Sequence, residues 1–250
     1  MIPTVAFPPV KTRRTFEEAL EQIAEAIRAG DLKTGDRLPS ERELAAQMRI
    51  SRPTLREAIE VLVESGVLQV RTGQNGGMFV SSDVVPLELL QERRELRVTE
   101  VAQVLEARRL LEPQVAQLAA VYGTEADFDA MERTIALQRE ATGDHLRSLQ
   151  LDLRFHLQLA RATKNETIVS MMRTVLRQLE IARDMALHGA NGEAELAIAI
   201  HERTLGALRR RDVKAIGVAM DEHMRFLERR WELETGRKGR RNGDRPRKRG

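Results

Sequence analysis

Apolar residues recur three or four apart in the first helical pattern of the chain. In TFEEALEQIAEAIRAGDL, Leu20, Ile23, Ala24 and Ile27 fall on one stripe with charge between them, which predicts a helix ending near Gly30. SERELAAQM opens with Ser40 and Glu43 at the spacing of a capping box, in which each side chain satisfies the other's backbone N–H. In SRPTLREAIEVLVESG, Leu55, Ile59 and Leu62 mark a third helix, closed by Gly66. Ser51 suits its N-cap, and Pro53 lies in the first turn, where a missing N–H costs nothing. Only Arg-Ile-Ser separates the second helix from the third, enough for a tight turn between angled helices. The period then changes. Val67, Leu68 and Val70, followed by Met78, Phe79 and Val80, read as two short strands around a Gly/Asn-rich hairpin.

Three helices followed by a hairpin predict a winged helix-turn-helix over residues 1–80. Residues 81–98 hold Pro86 and a run of charge, and predict a linker with a short helix. From Thr99 to about Trp231 every segment has helical period, with breaks near Gly123-Thr124, Gly143, Lys164-Asn165, Gly189–Gly192 and Arg211-Asp212. That spacing predicts about six helices in an antiparallel bundle over residues 99–234. The expected fold class is therefore mainly α, with a small β-hairpin wing and an all-α second domain.

Composition narrows the chemistry. At 250 residues with 42% hydrophobic content, the chain can bury two cores. Zero cysteines remove disulfides, thiolate metal sites and cysteine catalysis together. No apolar run reaches the roughly 18 residues of a membrane helix, and MIPTVAFPPVKTRR lacks the layout of a signal peptide. A cytoplasmic protein is expected. The net charge of +3 misleads, because residues 235–250 form a basic tail with eight Lys/Arg against one Asp. The tail is expected to be disordered, either simply solvated or attracting phosphate without choosing sequence. The first 80 residues carry 11 basic and 11 acidic side chains, so any case for DNA binding rests on placement.

Placement supplies one. Arg52 and Arg56 share a face at the N-terminal end of their helix, where the helix dipole is already positive. An anionic partner explains that arrangement; the bland alternative is that Arg42 and Arg56 only pair with Glu41, Glu43, Glu57 or Glu60 on a solvated surface.

In the second domain, polar residues fall on core-facing stripes. Asp152 and His156 stand four apart within the stripe of Leu149, Leu153, Leu157 and Ala160. His201 continues Ala197, Leu205 and Leu208, His223 lies between Ile216, Met220 and Leu227, and Arg108 sits among Val101, Val104, Leu105, Leu111 and Val115. Burying such groups without partners is costly. Three imidazoles and a carboxylate suit a divalent metal such as zinc, nickel or manganese, with positions left open. Pattern alone leaves that reading level with a set of hydrogen-bonded core histidines. His145 at a helix start and His188 at a helix end do not join the cluster.

The stretch GDRLPSERELAAQMRISRPTLREAIEVLVESGVLQVRTGQNGGMFV resembles the GntR family of bacterial transcription factors. That resemblance implies that Arg42, Ser51, Arg52, Thr54 and Arg56 contact DNA, with Arg52 the candidate for a bidentate guanine contact. It also implies that Gly73 lets the wing backbone approach the minor groove, with Arg71 beside it. LEARRLLEPQVAQLAA, the Asp-x-x-x-His step and the two later histidines resemble the FCD ligand-binding domain of the FadR-like branch over residues 99–231. The family then implies a divalent metal on Asp152, His156, His201 and His223, with Arg108 meeting the carboxylate of a small organic acid. The expected protein is a homodimeric, metabolite-responsive regulator, by family habit a repressor, on an inverted-repeat operator in double-stranded DNA. Two rivals stand beside it. A metal-dependent hydrolase would use Glu112 as base, although pairing with Arg108 is the simpler role for that residue. An architectural DNA-binding protein would keep a purely structural metal.

Overall fold

A computed structural model describes residues 15–73, 76–86, 89, 98–187 and 193–235. Most of the expected linker, the expected basic tail from 236 onward, His188 and the break at Gly189–Gly192 lie outside the described residues. The chain divides into two compact units, Met1–Glu92 and Arg93–Gly250.

The first unit holds α1 (Thr15–Arg28), α2 (Glu41–Met48), α3 (Arg52–Glu64), β1 (Leu68–Arg71) and β2 (Gly77–Val80). Both α1 and α2 pack on α3. Their apolar stripes close one core, with Leu20, Ile23 and Ile27 meeting Leu44, Leu55, Ile59 and Leu62. The capping box forms as expected: Glu43 N–H donates to Ser40 Oγ, and Ser40 N–H donates to Glu43 Oε2. Ser51 caps α3 by accepting the Thr54 N–H at 3.2 Å. The tight turn between α2 and α3 turns on Arg49, which takes the left-handed conformation at φ 55°.

β1 and β2 pair antiparallel, Leu68 opposite Val80 and Arg71 opposite Gly77. Val67 lies just before β1 and is fully buried in the core. The sequence pattern missed a third piece of this sheet. Residues 35–38 run along the other edge of β2, where Gly35 N–H donates to Val80 O, Val80 N–H to Asp36 O and Leu38 N–H to Met78 O. Only Leu38 among those residues is buried apolar, so no alternation announced a strand.

The second unit is α4 (Val98–Tyr122), α5 (Glu125–Glu140), α6 (His145–Ala162), α7 (Glu166–Leu187), α8 (Glu193–Arg209) and α9 (Val213–Thr235). The helices start on caps that the loops supply, Thr124 with Asp127 for α5 and Asp144 for α6. α4 packs against α6, α7 and α9, while α5 packs against α6 and α8, and α8 against α9. α4 and α9 run antiparallel. Arg109 pairs with Asp221 and Glu228, and Arg211 at the start of α9 donates to the carbonyls of Ala120, Val121 and Gly123 at the end of α4. The Ala120 and Val121 carbonyls lie in the last turn and have no partner within their helix, and a cation suits the negative end of its dipole.

The single stripe expected for α6 is too narrow. Leu149, Gln150, Leu151, Leu153 to Leu157, Leu159 and Ala160 are all buried, because neighbouring helices cover α6 on several sides. Among the described residues no helix is long and apolar enough to cross a membrane.

Candidate nucleic-acid interface and candidate metal centre

On the first unit, Arg42, Ser51, Arg52, Arg56, Arg71 and Gly73 are exposed and Thr54 is half-buried. Ser51 and Thr54 share a 2.6 Å hydroxyl contact at the start of α3, and each hydroxyl keeps further donor or acceptor capacity. Arg52 and Arg56 project from the first two turns of α3, as their spacing requires. Both converge on Glu41, the first residue of α2. Arg56 Nη2 donates to Glu41 Oε2 at 2.7 Å, and Arg52 Nη2 lies 3.7 Å from the same oxygen. The hydrogen bond from Arg56 holds the Glu41 carboxyl below its usual range, against the opposing pull of partial burial. The bland pairing of Arg56 with Glu41 therefore exists, and it leaves both arginines more than half exposed. Sequence reasoning weighed Glu41 as one of four partners; the turn between α2 and α3 selects it.

In the wing, Arg71 lies over the Phe79 ring, 4.5 Å from its centroid. The register makes these two diagonal neighbours, within reach of long side chains. Gly73 has φ 100°, a conformation that L side chains rarely adopt, with open space where a Cβ would lie. Gly77 is different: a Cβ there would meet Arg37 Nε at 2.8 Å, and Arg37 donates to Gly76 O.

In the second unit, Asp152, His156, His201 and His223 come together from α6, α8 and α9, their ligating atoms within 4.8 Å of one another. The three histidines are buried and Asp152 is half-buried. His156 Nε2 lies 3.6 Å from Asp152 Oδ2, and His201 Nε2 lies 3.4 Å from Asp152 Oδ1. Arg108 arrives from α4. Its Nη2 is 2.9 Å from His156 Nε2 and 2.8 Å from His223 Nε2. A guanidinium can only donate, so both Nε2 atoms are unprotonated and direct their lone pairs at Arg108. His156 Nδ1 points the other way, 3.0 Å from Glu112 Oε2. His201 Nδ1 contacts Gln138 Oε1 at 3.0 Å.

Arg108 and Glu112, four apart on α4 and both buried, form an ion pair. Burial pushes the Glu112 carboxyl up, but Arg108 and His156 outweigh it and hold the group well below the carboxylate range. Burial is also the leading reason His156 is pushed below its ordinary value, with Arg108 adding to it and Glu112 opposing. The imidazole is thereby kept neutral, the form that coordinates.

This donor set fits a divalent ion. Nitrogen and carboxylate ligands stand about 2.0–2.2 Å from such an ion, so ligands on opposite sides of a six-coordinate ion are about 4.2 Å apart. The observed spread needs to contract only slightly, and the chemistry is neutral imidazole plus one carboxylate. The cluster could hold a metal. Arg108 Nη1 is buried with no hydrogen-bond acceptor among the described residues, a cationic donor beside that centre. Gln138 was missed by the sequence reading; its only signal is a polar position, beside Thr134, on the buried face of α5 with Phe128, Met131 and Ile135.

Comparison with known proteins agrees with both units. Residues 15–80 match the family model described as bacterial regulatory proteins, gntR family, and residues 103–226 match the FCD domain. The Exu regulon transcriptional regulator of Escherichia coli (strain K12) is 29% identical over 216 residues, covering 85% of this chain and 82% of the relative. The HTH-type transcriptional repressor NanR of Escherichia coli (strain K12 / DH10B) is 25% identical over 230 residues, covering 89% and 86%. Among solved structures, E. coli McbR/YncC shares the fold with a TM-score of 0.54 at 18% identity, over 90% of this chain and 100% of that one. These relatives are regulators, which removes the hydrolase reading. The chain is a transcriptional regulator, not an enzyme, and belongs to the FadR-like branch of the GntR family, which joins a winged helix-turn-helix to an FCD domain.

Proposed function

We propose that this regulator is a homodimeric repressor in the cytoplasm, released from an inverted-repeat operator when a small organic acid binds its FCD domain. The observation that carries the effector half is the convergence of Asp152, His156, His201, His223 and Arg108 in one buried centre. The proposed organisation is a reading domain over residues 1–80, a linker over 81–98, an effector domain over 99–234 and a basic tail after it.

In the reading domain, α3 enters the major groove with its N-terminal end at the base edges. Arg52 makes the bidentate guanine contact, while Arg42, Ser51, Thr54 and Arg56 hold phosphates and fix the register. Gly73 and Arg71 bring the wing to the minor groove. Two half-sites need two copies of α3. An exposed apolar set supports self-association: Leu110, Leu118 and Val121 on α4, and Val218 on the antiparallel α9 packed beside it.

In the effector domain, Asp152, His156, His201 and His223 would hold a divalent ion, zinc, nickel or manganese. Such an ion supplies a Lewis-acidic anchor for a carboxylate or hydroxyl oxygen. Arg108 supplies the second cation, and its free Nη1 is a donor suited to a carboxylate. Glu112 holds the Arg108 guanidinium from the opposite side. Coupling between effector and operator sites typically amounts to about 1–3 kcal/mol. NanR, a relative, is described as a repressor, which supports that sign here.

The test begins with selection of an operator from random DNA, followed by affinity measurement with and without candidate organic acids. Metal-loaded wild type should select a palindrome and lose affinity with one acid, while His201→Ala should keep the operator and lose the response. A response that survives chelation and His201→Ala, or an effector without influence on DNA affinity, would overturn the effector half. Selection of a site without two-fold symmetry would overturn the dimeric reading.

A further inference from the structure

The helix α5 supplies none of the four candidate ligands, yet it places one polar side chain against them. Gln138 is 5% exposed and sits three residues past Ile135 on the buried face of α5. Its Oε1 is 3.0 Å from His201 Nδ1. The faces of the His201 ring are packed as well. Phe155 stacks on it with centroids 4.1 Å apart and planes 18° from parallel, and His223 is nearly parallel to it at 5.0 Å. Stacking fixes the plane of an imidazole but does not choose which nitrogen carries the proton, nor fix rotation within the plane. A hydrogen bond at one ring nitrogen does both.

The geometry points to Gln138 as a positioning residue for metal capture: it accepts the Nδ1 proton of His201, so that Nε2 presents its lone pair beside Asp152. This rests on the metal reading proposed above and extends it to a fifth helix, α5. The alternative is chemically distinct. If Gln138 instead donates its amide to Nδ1, then His201 carries its proton on Nε2 and gives it to Asp152, and that nitrogen cannot bind a metal. A carboxylate at position 138 separates the two, since it can accept from Nδ1 but cannot donate. Partners of this kind typically change metal affinity by about 10–100-fold when removed.

The experiment is a competition titration of zinc against a chromophoric chelator on full-length protein, with melting in chelator as a control for folding. Gln138→Met, which keeps length but loses the acceptor, should weaken zinc about 10–100-fold, and Gln138→Glu should bind at least as tightly as wild type. The cobalt-substituted spectra of wild type and Gln138→Glu should coincide. Gln138→Met binding like wild type, or Gln138→Glu losing as much as Gln138→Met, overturns the positioning role while leaving the metal site standing. A wild type that binds no zinc, nickel or manganese takes down both. If Gln138→Met does not fold, Gln138→Glu decides alone: retained affinity supports the role and lost affinity overturns it.

Discussion

The two units treat polar side chains in opposite ways. Among the described residues, Arg28 is the one buried charged or polar residue of the winged unit, while the helical unit buries Arg108, Glu112, Gln138, Gln150, Arg154, His156, His201 and His223. The winged unit carries an aliphatic core and leaves its other described arginines in solvent, because a DNA duplex is a surface ligand that brings its own counter-charge. The helical unit places charge in its interior, where only a small ligand can follow. In the low dielectric of such an interior, paired groups interact strongly and a lost partner is costly. Mutations should therefore act as affinity changes in one unit and as stability changes in the other.

The largest effect expected from this contrast is Glu112→Ala, which leaves the Arg108 guanidinium buried without its carboxylate. Breaking a buried pair on one side typically costs about 3–5 kcal/mol. The chain's single Trp, Trp231, is buried in α9, so its fluorescence reports unfolding of the bundle. A denaturation midpoint within error of wild type would break the comparison. Next comes Arg52→Ala, for which stability should hold while operator discrimination falls by about 1–3 kcal/mol per half-site. Equal loss on operator and random DNA would reduce Arg52 to a phosphate contact.

Acid should also separate the units. His156 is held below its ordinary value in the folded bundle, so the unfolded chain takes up the proton more readily. Its contribution is present above about pH 6.5 and is lost as pH falls through that region. Glu112, also depressed, acts in the same direction at lower pH, its contribution present above the ordinary carboxylate value and lost below it. In chelator, the bundle's melting temperature should drop between pH 7.5 and 5; a flat or rising profile would contradict the buried neutral histidine. The smallest effect is expected from Glu41→Gln. Loss of the carboxylate that gathers Arg52 and Arg56 should tighten binding to random DNA and lower the ratio of operator to random affinity. An unchanged ratio would mean the two arginines orient themselves.

Much of the fold was legible because its signals are local. Capping at Ser40 and Ser51, and the breaks at Gly123-Thr124, Gly143, Lys164-Asn165 and Arg211-Asp212, depend on residues a few positions apart. The chain computes them from its own backbone geometry. The candidate ligands were legible for a related reason: a histidine on an apolar stripe must go inside, and three such stripes plus Asp152 limit where they can meet.

The sequence by itself determined which helices form and that Arg108, Asp152, His156, His201 and His223 lie on inward stripes, since each follows from helical period and the cost of exposing apolar surface. Tertiary structure alone decided the partners. Gln138 meets His201 across 63 residues, Arg108 meets His223 across 115, and Glu41 meets Arg56 across the turn between two helices. It also made α6 central, which no single stripe could announce, and laid residues 35–38 along β2. Periodicity reports that a face is buried; it carries no information about what lies opposite, because packing angle and helix neighbour are set only when all the faces close together.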